Sequence, residues 1–376
     1  MEKILFISHD ATRTGGPKSL LNILRWLSKN GKKFDVLLIK GGEIEEEFRK
    51  LDCGNLINLE NIQQSGESNI AKDEIGNLWH RYDLIYANTV VSLSLAVQAK
   101  GYSSNSKVIC HIHELEMGII KYVGEDSFIQ NIKHVDKFIA VSEAVKTFLI
   151  AKYDISPEKI EIIHGTIEMV NHDLNQSVVL KELGIIDKND YFVVIGAGHT
   201  IWTKSPDLFV QIAGKLNKIY DGKFLFLWLG DGDTLEKKQL EYDLTRLNLT
   251  DKVKFLGFRN DIQDFYSISD VFLLTSREDS YPLVCLEAAS FGTPVICFKD
   301  AGGMPEFVGD DAGYVVPYLA VDKAADHLKY LALNPEIRKK MGDKAKQKAA
   351  AHDINLAGKR ISELLEKVLG VPTLLE

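Results

Sequence analysis

The chain has 376 residues, 45% hydrophobic and 26% charged, which excludes collagen, coiled coil and wholesale disorder. At about 150 residues per domain, this length suggests two domains. Its formal charge of −8 is shared evenly by the halves on either side of residue 175, so neither reads as a basic nucleic-acid-binding module. No apolar run approaches a transmembrane helix, and the opening MEKILFISHD lacks the basic-then-apolar layout of a signal peptide. Cys53, Cys110, Cys285 and Cys297 form neither C-x-x-C pairs nor zinc spacings, so buried thiols in a cytoplasmic, reducing setting are expected.

Residues 3–8 (KILFIS) form a short apolar run, as a parallel strand buried on both faces requires. Gly15-Gly16 follows, and Pro17 opens a helix with Leu20, Ile23, Leu24 and Leu27 on one face. Further strands are predicted at Phe34–Ile39, Leu84–Ala87, Lys107–His111, Lys137–Val141 and Lys159–Ile163, with helical stretches between most of them. The alternation restarts with strands at Tyr191–Ile195, Phe224–Leu229, Val253–Phe255, Val271–Leu274 and Thr293–Cys297, and helices from Ser205 and over Leu283–Ser290. Two doubly wound α/β halves with parallel sheets are therefore expected, joined near Val170–Ser177. Asp353–Leu369 reads as an amphipathic helix with Ile354, Ala357, Ile361, Leu364, Leu365 and Val368 on one face.

Several chemistries lack their motif. Neither half carries G-x-G-x-x-G after its first strand, and no P-loop or G-x-S-x-G elbow is present. His111-x-His113 has no third ligand in sequence, and alternate strand residues share a face, so one histidine set on a common face explains it better than a metal. Gly15-Gly16 reads equally as a tight turn or as an anion site at a helix N-terminus. Lys204, after Gly198-His199-Thr200, is a compact charge for phosphate or a surface lysine. In SREDSYPLVCLEAASFGTPV, Asp279 precedes Glu287 by a seven-residue gap that contains Ser280-Tyr281-Pro282 and Leu283-Val284. A helix starting there would aim N–H groups at a ligand, with Glu287 able to accept from vicinal hydroxyls; it reads equally as a capped core helix.

This segment resembles the E-x7-E signature of retaining glycosyltransferases of family four, which have the GT-B fold. The resemblance runs along nearly the whole chain. It takes in Gly15-Gly16, His113-Glu114, AVSEAVKTFL (Ala140–Leu149), Gly198…Lys204, Leu229-Gly230-Asp231-Gly232, Val253–Gly257, Gly292–Val295 and Gly302-Gly303…Glu306. It departs in having Asp279 for the first glutamate, His199 for an arginine, Ser205 for a glycine, and His164-Gly165-Thr166-Ile167-Glu168 between the domains.

The resemblance implies two Rossmann-like domains facing a cleft: 1–172 for the acceptor, 173–352 for the donor, and a C-terminal helix, 353–376, returning to the first. It implies Gly16, Gly198, His199, Lys204 and the Leu283-Val284 backbone at the donor diphosphate. Glu287 would hold the ribose, and Phe258 and Arg259 would flank the base. Asp279, with Glu278 beside it and Ser280, Tyr281 and Pro282 following, would hold the donor sugar. His113, Asp279 and Glu287 form the implied catalytic set, and Asn88, Thr89 and Glu114 the acceptor side. No metal and no cofactor is implied beyond a nucleotide-sugar co-substrate, with UDP-glucose the first candidate. The partners expected are a glycan or lipid-linked saccharide and, through the latter, the inner membrane face. A GT-B nucleotide-sugar 2-epimerase, a two-lobed sugar-binding protein and a glucan-extending synthase are the competing readings.

Overall fold

The computed structural model describes residues 3–64, 81–103, 105–167 and 174–371. Glu168 and the first part of the expected linker, Val170–Ser177, fall outside the described residues. The chain divides into two compact units, Met1–Thr166 with Ile354–Glu376, and Ile167–Asp353.

The first unit contains strands β1 (Ile4–Ser8), β2 (Asp35–Leu38), β3 (Leu56–Asn58), β4 (Leu84–Asn88), β5 (Lys107–Ile112), β6 (Lys137–Ala140) and β7 (Ile160–Ile162). They pair in the order β3-β2-β1-β4-β5-β6-β7, all parallel. The second contains β8 (Phe192–Ala197), β9 (Phe224–Leu229), β10 (Val253–Phe255), β11 (Val271–Leu274), β12 (Val295–Phe298) and β13 (Gly313–Val316). These pair, again all parallel, in the order β10-β9-β8-β11-β12-β13. Helices cover both faces, so the inner strands are apolar throughout rather than alternating. In β9 (FLFLWL) every residue is buried.

Two edge strands, β3 and β13, have no counterpart among the strands read from sequence. Each is short, at the edge of its sheet and only partly buried. The helix Pro335–Ala350 is also unannounced. Its buried positions are Gly342, Ala345 and Ala349, small residues that give little hydrophobic signal. They allow close packing: a Cβ on Gly342 would lie 2.0 Å from the Gly292 carbonyl oxygen.

The last helix, Ile354–Leu369, packs on the first unit, where Ala357, Ile361, Leu364 and Leu365 join the core of Phe6, Leu20, Leu24 and Tyr86. Polar contacts fix its register: Trp26 Nε1 donates to Asn355 Oδ1 at 3.1 Å, and Lys32 meets Glu366 at 2.5 Å. Gly358 lies directly under the Trp26 indole.

In each sheet the strand order reverses direction once, between β1 and β4 and between β8 and β11. Loops diverge there at the carboxyl ends of the strands, leaving the crevice in which doubly wound sheets bind ligands.

Candidate active site

In the second unit, β8 runs into Gly198, and β11 into the segment Thr275–Pro282. Gly198 has φ +147° and Gly230 φ +135°. A Cβ on Gly230 would lie 2.1 Å from the Gly198 carbonyl oxygen, so glycine is needed for the two loops to meet. The Lys204 ammonium lies 2.5 Å from Asp279 Oδ2, and Ser276 Oγ donates to the same oxygen at 3.0 Å. The Asp279 side chain is 8% exposed and that of Lys204 28%, so the carboxylate is buried and the ammonium reaches solvent. The Asp279 backbone is held from the other side: its N–H donates to the Ala301 carbonyl at 2.8 Å, and the Asp279 carbonyl accepts from the Gly303 N–H at 3.2 Å. Gly302 has φ +136°, and a Cβ there would lie 1.8 Å from the Asp279 carbonyl oxygen. The Gly302-Gly303 pair thus shapes the acid's backbone.

Pro282 precedes the helix Leu283–Ser290, whose N-terminus carries no side-chain cap and no acid in its first turn. An uncapped helix start carries partial positive charge suited to an anion. Glu287, a little over one turn in, is partly buried and accepts a long hydrogen bond, 3.4 Å, from Tyr266. Tyr281 is buried, and its hydroxyl lies 2.6 Å from His352 Nε2. Ser280 and Glu278 stay partly exposed beside Asp279. His199 is exposed, its Nδ1 3.2 Å from the Asp231 carbonyl.

The two residues expected to flank a base behave differently. Phe258 is 62% exposed and open to a ligand. The Arg259 guanidinium instead forks onto Glu182 (2.9 and 3.0 Å) and Asp261 (2.7 and 2.8 Å), a geometry that braces the loop.

In the first unit, the ends of β1, β4 and β5 bring together His9, Asn88, Thr89, His111, His113 and Glu114. His113 Nε2 is 3.0 Å from Asn88 Oδ1, and Asn88 Nδ2 donates to the Gly16 carbonyl at 3.0 Å. Gly16 needs its missing side chain, because a Cβ would lie 2.9 Å from Thr89 Cγ2. Thr89 has φ +73°, an uncommon conformation for a β-branched residue, held by its N–H donating to the His111 carbonyl at 2.9 Å. Thr89 Oγ1 is 3.1 Å from His9 Nδ1, and the His111 and His113 rings lie 4.1 Å apart. Asn88 and Thr89 are almost wholly buried. Glu114 Oε2 accepts from the N–H groups of His113 (2.9 Å) and Val90 (3.3 Å).

Burial dominates the electrostatics here. It lowers His113 to about 3, helped by His9, and pushes the Glu114 carboxyl up to about 7 against the backbone N–H groups that donate to it. His9 and His111 are lowered for the same reason. The imidazoles are therefore neutral at neutral pH.

The structure thus gathers Gly16, Asn88, Thr89, His113 and Glu114 at one switch point, and Gly198, Lys204 and Asp279 at the other. His9, Ser276 and His352 were not singled out from sequence. The position of His9 directly after β1 is the one signal for it; Ser276 and His352 have none.

Two α/β units on parallel sheets of seven and six strands form the GT-B architecture shared with the solved neighbours. The family model Glycosyltransferase Family 4 matches residues 13–169, and Glycosyl transferases group 1 matches residues 181–348. The chain belongs to glycosyltransferase family 4. It is similar to the D-inositol 3-phosphate glycosyltransferase of Kribbella flavida, 27% identical over 239 residues, 61% of this chain and 55% of that protein. It is also similar to the UDP-Gal:alpha-D-GlcNAc-diphosphoundecaprenol alpha-1,3-galactosyltransferase of Escherichia coli, 28% identical over 171 residues, 44% of this chain and 43% of that protein. The chain thus spans about half the length of the curated relatives it matches. Among solved structures, Anabaena HepE in complex with UDP-glucose shares the fold, with TM-score 0.82 and 22% identity over 98% of this chain and 100% of that one.

Proposed function

We propose that the chain is a retaining glycosyltransferase moving a hexose, in first place glucose from UDP-glucose, onto a saccharide or lipid-linked saccharide in bacterial glycan synthesis. The observation that carries this reading is the Lys204–Asp279 pair beside the uncapped start of the helix Leu283–Ser290. A cation already held by a carboxylate, next to a helix N-terminus, is a site prepared for a competing anion. Diphosphate oxygens would take over Lys204 and the N–H groups at Leu283 and Val284, freeing Asp279 for donor-sugar hydroxyls. Glu287 would accept from the ribose, and Phe258 would cover the base. That HepE is crystallised with UDP-glucose, and that the Escherichia coli relative is named for UDP-Gal and a diphosphoundecaprenol acceptor, support a UDP-sugar and a lipid-linked acceptor. Such an acceptor would bring the chain to a membrane surface; no helix among the described residues is long and apolar enough to cross one.

In the transfer the bond from the anomeric carbon to the β-phosphate oxygen breaks, and the bond from the acceptor oxygen to that carbon forms. The acceptor proton passes to the leaving diphosphate. Preorganised donors aimed at the developing charge supply most of the acceleration in such a step. The first unit, with His113 and Glu114, would orient the acceptor hydroxyl.

The test is turnover of UDP-glucose and other nucleotide sugars with and without saccharide acceptors, with NMR of the product's anomeric configuration. UDP release that depends on an acceptor, with configuration retained, supports the reading. An altered free nucleotide sugar formed without acceptor would mark an epimerase instead. No binding of any nucleotide to folded protein would overturn the donor site.

A further inference from the structure

We infer that Asn88 is a positioning residue that locks His113 as the neutral tautomer with its proton on Nε2. The Asn88 side chain is fully buried and meets two partners, the Gly16 carbonyl oxygen and His113 Nε2, each at 3.0 Å. A carbonyl oxygen only accepts, so the amide must turn its NH2 to Gly16. Turned over, it would set its own oxygen against the Gly16 carbonyl oxygen at hydrogen-bond distance, with no proton between them. The Asn88 oxygen therefore faces His113, and Nε2 must carry the proton.

The amide itself cannot drift. The Asn88 carbonyl accepts from Ser92 Oγ at 2.8 Å, and the next residue is pinned by its N–H to the His111 carbonyl. Among the groups facing His113 are the His9 and His111 imidazoles and the Glu114 carboxyl, which holds the His113 backbone N–H. Asp10 stands behind His9 at 3.5 Å.

Resting on the transferase reading, this assigns His113 a role other than taking a proton at Nε2, since that nitrogen already bears one. It also gives Asn88 a part in the reaction that acts through His113 and requires no contact with the acceptor.

The first test needs only the wild-type protein. Nitrogen NMR of labelled histidines should show His113 as the Nε2–H tautomer across neutral pH. An Nδ1–H tautomer, or an imidazolium, would overturn the lock whether or not the chain transfers sugar. Asn88→Leu should erase the tautomer preference and lower kcat by up to about 100-fold, the scale of a mispositioned group, with donor KM little changed. Asn88→Asp places a carboxylate beside the ring and favours the imidazolium. Its rate should fall between about pH 8 and about pH 6, where imidazoles titrate, while the wild-type rate does not. Superposable pH profiles for the two proteins would remove the positioning role, while absence of transfer by wild type would defeat the functional reading and leave the tautomer result standing.

Discussion

The hydroxyl of Tyr281 lies 2.6 Å from His352 Nε2, and the two rings stack with centroids 5.6 Å apart. The other ring nitrogen of His352 is 3.0 Å from the Lys348 carbonyl, which accepts only, so Nδ1 carries a proton and, with the ring neutral, Tyr281 is the donor at Nε2. This bond ties the segment before Leu283 to the end of the helix Pro335–Ala350. Tyr281→Phe should cost about 1 kcal/mol of stability, the net worth of such a bond. It should also raise the donor KM more than it lowers kcat. Steady-state kinetics at varied nucleotide-sugar concentration would show the split; an unchanged KM would detach Tyr281 from donor binding.

The Lys204–Asp279 pair yields opposite expectations for its two members. Lys204→Ala should weaken UDP binding about 10- to 100-fold, as expected for loss of a charged hydrogen bond of about 1.5–3 kcal/mol. Asp279→Asn removes the competing anion, so free UDP should bind more tightly while sugar transfer falls. Calorimetric titration with UDP, paired with a transfer assay, separates these. Weaker UDP binding by Asp279→Asn would mean that the carboxylate serves to aim Lys204.

The buried cluster of the first unit makes stability depend on pH in two directions. His113 is lowered to about 3 in the folded chain, and His9 and His111 are lowered as well, so below the ordinary histidine value the unfolded chain binds more protons and stability falls as pH drops. Glu114 is raised from 4.5 to about 7, so its contribution is intact below the unfolded value and is lost as pH rises through about 7. The two effects oppose each other in the mildly acidic range. Glu114→Gln should therefore steepen the rise of stability with pH there, and gain on the order of 3 kcal/mol relative to wild type at alkaline pH. Urea unfolding at a series of pH values would show it, and parallel curves would remove Glu114 as the opposing group.

Gly358 supplies a packing prediction. A Cβ there would lie 2.3 Å from the Trp26 ring. Alanine is the better helix former by about 1 kcal/mol, yet Gly358→Ala should destabilise the first unit by about 1–3 kcal/mol through overpacking. Denaturation followed by tryptophan fluorescence would read the change, and a stabilised variant would show that the indole swings aside freely.

The inner strands and the terminal helix were legible because burial on both faces, or on one stripe, leaves a pattern in consecutive residues. β3 and β13 are short, partly buried edges, and the helix Pro335–Ala350 buries glycine and alanine. The cluster residues Gly16, His113, Lys204 and Asp279 were found through ordered motifs, since their partners are far away in sequence. Asp279 meets Lys204 across 75 residues, and Tyr281 meets His352 across 71. Arg259 shows the converse. The resemblance assigned it to the nucleotide base, while its Asp261 partner stood two residues on and Glu182 seventy-seven residues back.

The return of the helix Ile354–Leu369 to the first unit sets an order of events during synthesis. The second unit is one continuous stretch of chain and can close as soon as it leaves the ribosome. The first unit, although begun earlier, lacks Ile361, Leu364 and Leu365 until the whole of the second has been made. In that interval the apolar face around Trp26 and Leu24 stands uncovered in the nascent chain. That face is where a chaperone would be engaged, and where a stalled or clipped product would aggregate.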